Sequence, residues 1–76
     1  MITENVTKIE FRQDASFALT FTDGSTRVIP YAYRGEPGRA DWQTVNEGID
    51  TLLDSGAWEM HTDGQIGVSR YAPVVR

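Results

Sequence analysis

Between Asp41 and Gly56 the sequence reads DWQTVNEGIDTLLDSG, with apolar residues at Trp42, Val45, Ile49, Leu52 and Leu53. Steps of three and four place these on one stripe of an α-helix and turn Glu47, Asp50 and Asp54 toward water. Asp41 is positioned to cap the first turn and Gly56 to end the helix in a left-handed conformation. The other patterned stretches alternate with a period of two, so one helix must cover whatever sheet they form.

Those stretches fall on either side of it. In TKIEFRQ (7–13), Thr7, Ile9 and Phe11 share one face, and in the next run Phe17, Leu19 and Phe21 do the same. Asp14-Ala15-Ser16 separates the two as a short polar break. Thr22-Asp23-Gly24-Ser25 reads as a tight turn, with Asp to bond its own backbone and Gly to accept positive φ. A third strand is expected from Thr26 to about Tyr33, and Pro30 places it at an edge or a bulge. RGEPGR (34–39) reads as an irregular loop into the helix. Beyond the helix, AWEMH (57–61) alternates with Trp58 and Met60 on one side, a second Thr-Asp-Gly turn occupies 62–64, and residues 65–71 form the last strand. Residues 72–76 read as an extended apolar tail. The prediction is a single α+β domain in the order β-β-β-α-β-β, an antiparallel sheet with a single amphipathic helix packed on one face.

Size and charge narrow the function classes. A chain of 76 residues supports one small core, and without cysteine neither a disulfide nor a thiolate metal site can reinforce it. Domains this small often gain stability from a partner or from self-association. The net charge of −4 disfavours nucleic acid as a partner. MITENVTKIE has neither a basic flank nor a hydrophobic run, so a protein kept in the cytoplasm and away from membranes is expected.

The inventory for chemistry is thin. His61 is the single histidine, and no Gly-x-Ser-x-Gly elbow or phosphate-cradling glycine loop is present. Glu47, Asp50 and Asp54 read as a solvated helix face. The expectation is a protein without enzymatic activity, cofactor or metal.

The functional signal sits in YAYRGEPGR (31–39). Tyr31 and Tyr33 are expected on one strand face with Arg34 and Arg39 flanking the loop, and Tyr and Arg are enriched at the energetic centres of protein interfaces. Val74 and Val75 in the apolar tail could add a strand to a neighbouring edge or fold back onto their own. These six residues form the expected interface with a protein partner or a second copy. The acidic face is an alternative, as an inhibitor that occupies the basic nucleic-acid site of a host enzyme. From Val6 to Val28 the strand, strand and Thr-Asp-Gly-Ser turn look like many small bacterial domains. In general character (compact, acidic, cysteine-free) the chain resembles small phage-encoded accessory proteins, including minor virion components and inhibitors of host defence. That resemblance implies a structural or accessory role in an assembly.

Overall fold

A computed structural model describes residues 5–35, 42–62 and 68–75. Five antiparallel strands form one sheet: β1 (Val6–Phe11), β2 (Phe17–Phe21), β3 (Thr26–Ile29), β4 (Trp58–Thr62) and β5 (Ser69–Pro73). Their spatial order is β3-β2-β1-β5-β4. The single α-helix among the described residues, α1 (Trp42–Asp54), covers one face, as the sequence predicts. β1 is central because the C-terminal hairpin returns beside it, pairing Ile9 with Tyr71 and Phe11 with Ser69.

The core forms where α1 meets the middle of the sheet. Val45 and Ile49 of α1 are buried against Val6, Ile9, Phe17, Leu19, Ile29 and Trp58. Trp42, Leu52 and Leu53 pack against the margin of this cluster and stay half-buried. Strict alternation would put Thr7 in the core with Ile9 and Phe11, but Thr7 is exposed and Val6 is buried instead. The cause is a β-bulge: Lys8 opposes Thr20 while Val6 opposes Phe21, so β1 carries one extra residue. That residue flips the parity of the strand. The displaced Thr7 hydroxyl donates to the Thr20 carbonyl at 3.2 Å.

The two N-terminal hairpins share one turn chemistry. Arg12 N–H bonds the Ser16 carbonyl across the first and Phe21 N–H bonds the Ser25 carbonyl across the second, both at 2.9 Å. Each encloses a three-residue loop whose last residue is left-handed, Ala15 at φ 65° and Gly24 at φ 87°. In each, an Asp carboxylate accepts from the Ser two residues on. Ser16 donates its hydroxyl to Asp14 at 2.6 Å and its N–H at 3.0 Å, and Ser25 donates to Asp23 at 2.6 and 2.9 Å. The break at 14–16 is thus a structural repeat of the turn at 23–25. Of the second Thr-Asp-Gly turn, expected at 62–64, Thr62 closes β4 and positions 63 and 64 lie outside the described residues.

These bonds hold both carboxylates below the ordinary value of 3.8, chiefly through the Ser hydroxyl and then its N–H. In the unfolded chain both return to that value. Their contribution is therefore fully present above it and disappears as pH falls toward the lower folded values. Urea midpoints taken between about pH 5 and pH 2 should decline, and Asp14→Asn with Asp23→Asn should flatten the decline.

The expected strand boundaries shift, by one or two residues in β1 and β4 and with more consequence in β3 and β5. β3 ends at Ile29, and Tyr31–Tyr33 form a 3-10 turn in which Tyr33 N–H bonds Pro30 O and Arg34 N–H bonds Tyr31 O. Pro30, its φ fixed at −69° by the ring, is the extended residue that leads into the turn. The last strand is described as Ser69–Pro73, two residues past its expected end, and the expected positions 65–67 lie outside the described residues. Consequently Ala72 and Pro73 belong to β5, opposite Glu59 and Trp58, and Val74 N–H donates to the Ala57 carbonyl at 2.8 Å. The supposed tail thus pairs with its own chain.

α1 ends as predicted, with Gly56 at φ 76° and its N–H on the Leu53 carbonyl at 3.1 Å. The Ser55 hydroxyl completes the cap. It donates to the Leu52 carbonyl at 2.7 Å and accepts the Ala57 N–H at 3.2 Å, serving both groups with one side chain. Ser55→Ala should lower stability by about 1 kcal/mol in urea titration, through these two bonds alone. The capping role assigned to Asp41 lies outside the described residues.

Candidate functional site

An aromatic file runs from the core to the surface at the N-terminal end of α1. Phe11 and Phe17 have ring centroids 5.1 Å apart, Phe17 and Trp42 5.3 Å, and Tyr31 stands edge-on to Trp42 at 4.8 Å and 81°. Trp42 is fixed from a third direction, because its indole N–H donates to the Ala15 carbonyl at 2.6 Å. The left-handed backbone at Ala15 and the helix are thereby joined through one side chain.

Tyr31 ends the file at the surface, 45% exposed. The Arg34 guanidinium carbon lies 5.2 Å from its ring centroid, and Arg34 Nη1 donates to the phenol oxygen at 2.7 Å. Arginine on an aromatic face keeps its positive charge while losing conformational freedom. Tyr33 is 40% exposed. In a 3-10 turn with three residues per revolution, positions 31 and 33 do not project together, so the shared strand face expected for the two tyrosines is corrected. The structure instead joins Tyr31 to Arg34 and to Trp42. Arg39 lies outside the described residues.

The other expected residues are dispersed. Val74 is half-buried, with its N–H used by Ala57, and Val75 is 93% exposed. Glu47, Asp50 and Asp54 are all exposed along α1, and Glu47 accepts from Gln43 Nε2 at 2.9 Å. Tyr71 is raised above the ordinary tyrosine value by burial, opposed by its bond with Ser69 and reinforced by the negative charge of Asp50. His61 lies 2.9 Å from a Glu59 oxygen, with both side chains about half exposed on β4. Among the described residues no group of three His, Cys, Asp or Glu could hold a metal ion, and no helix is long and apolar enough to cross a membrane.

Two features of this surface are not evident in the sequence reading. Trp42 reads there as core, yet it is also the support for Tyr31. Met60 shares a strand face with buried Trp58, but is 52% exposed. The signal for Met60 was its place on the C-terminal hairpin, which could have been recognised as a sheet edge. No protein-family model, curated protein or solved structure matches the chain.

Proposed function

We propose that this chain is a non-enzymatic protein-interaction module within a larger assembly, with Tyr31, Tyr33 and Arg34 as its principal contact. The observation that carries this reading is that Tyr31 is exposed and yet held in place, by Trp42 on one side and Arg34 on the other. An aromatic side chain ordered before binding loses less entropy on docking, and Tyr and Arg recur among residues that dominate interface energy. A small virion-associated or accessory protein of a phage is the kind of assembly component that the general character of the sequence suggests.

The test is quantitative affinity capture from the native host with wild type and the double variant Tyr31→Ala/Arg34→Ala. A partner should be retained by wild type and weakened roughly 30-fold by the double variant, the loss of about 2 kcal/mol expected at an interface centre. Equal recovery by a folded double variant would contradict the reading. The alternative is an acidic inhibitor that occupies the basic nucleic-acid site of a host enzyme through Glu47, Asp50 and Asp54. Its support is the exposure of all three along one helix. It requires capture that collapses with added salt and on neutralising those three residues.

A further inference from the structure

β4 is an edge of the sheet, and its free side is unusually regular. The Val74 N–H bond to Ala57 fixes the alternation along β4 and β5. Glu59 and His61 direct their backbone groups toward β5, whereas Trp58, Met60 and Thr62 direct theirs outward. Pro73 opposes Trp58 in a pair that exchanges no backbone bond, so its missing donor leaves this ladder whole. Among the described residues no strand covers the outer side of β4.

Edges are commonly protected by proline, a bulge or inward charge. β3 has such protection, since the outward positions Thr26 and Val28 are followed by Pro30. Self-pairing of β3 about Val28 would set Arg27 against the Ile29 of a second copy. β4 contains no proline, and its register to β5 is unbroken from Trp58 to Thr62.

We infer that two copies of this chain pair antiparallel through β4, on a twofold axis at Met60, to give one continuous ten-stranded sheet. In that register Met60 meets Met60 of the second copy, and the outward backbone groups of Trp58 meet those of Thr62. Glu59 stands directly opposite His61, twice by symmetry. These are pairs without mutual backbone bonds, where opposed side chains approach most closely. The imidazole can donate to the carboxylate in either protonation state.

The charge pattern selects this register. A twofold at Glu59 or at His61 would oppose each to its own copy. Within the chain His61 already lies 2.9 Å from its own Glu59 and opposes Arg70, so the twofold gathers two carboxylates and two imidazoles into one cluster flanked by Arg70 of each copy. Met60, half exposed on the isolated chain, becomes covered by its symmetry mate. This surface is separate from Tyr31 and Arg34, so either assignment can fail without the other.

Sedimentation velocity on the purified chain, from about 1 µM to 1 mM, tests the inference. The mass should rise from 8.5 kDa to twice that value. Met60→Lys, which opposes two ammonium groups at the axis, should raise the dissociation constant by at least about tenfold, and so should Glu59→Lys. The exchange Glu59→Lys/His61→Glu restores opposite charges and should recover dimer. All three positions are exposed, and circular dichroism would confirm that each variant is folded. A wild type that stays monomeric, a dimer indifferent to Met60→Lys, or an exchange variant no better than Glu59→Lys would overturn the assignment.

Discussion

Val45→Asp is expected to yield a chain with no cooperative unfolding transition. Val45 is fully buried between α1 and the sheet, in the cluster that holds Ile9, Phe17 and Ile29. A carboxylate placed there has no cation to pair with among those neighbours. An unpaired charge or an unsatisfied protonated acid in such a site costs several kcal/mol. A domain of this length has roughly 4–11 kcal/mol in all, taking 0.05–0.15 per residue. Val45→Ala, which only removes two methyl groups, should instead cost about 2 kcal/mol and remain folded. Thermal melts followed by circular dichroism distinguish the two. A cooperative melt for Val45→Asp near that of wild type would mean that α1 does not pack on the sheet through this face.

Trp42→Ala has the second largest expected effect and links stability to function. It removes the ring contacts with Phe17 and Tyr31 and the hydrogen bond to the Ala15 carbonyl. The expected loss is about 3 kcal/mol, the lower end for an aromatic truncation because Trp42 is only half-buried. Trp42→Phe keeps most of the stacking and forfeits the hydrogen bond, for about 1–2 kcal/mol. Urea titration measures both. In the same variants, capture of a partner should weaken for Trp42→Ala beyond what its unfolded fraction explains, since Tyr31 loses its support. Capture should be nearly kept for Trp42→Phe.

The architecture was legible because helix and strand periods differ so clearly in this chain. Trp42 to Leu53 could only be a helix stripe, and Phe17 to Phe21 could only be a strand, although Ala18 on its other face is buried as well. What the pattern could not supply was parity and termination. Val6 enters the core through a bulge at Thr7, and a single added residue leaves no mark on local alternation. Pro30 signalled an edge, but not that Tyr31–Tyr33 would coil into a 3-10 turn and separate the two tyrosines. β5 runs two residues further than alternation suggested, because its position is set by pairing with β1 and β4. That shift turned residues 72 and 73 from a tail into a strand. At the candidate site, residue types were readable and partnership was not: the sequence named Tyr31 and Arg34, while Trp42 as their support depends on contact across the fold.

Function, on this account, depends on a surface that is built before any partner arrives. NMR of the free protein tests this most directly. The account predicts nuclear Overhauser contacts between the Tyr31 ring and the Trp42 indole, whose centroids lie 4.8 Å apart, with backbone order parameters near 0.85 through Tyr31–Tyr33. An averaged Tyr31 ring without contacts to Trp42, and order parameters below about 0.6 in that turn, would contradict it.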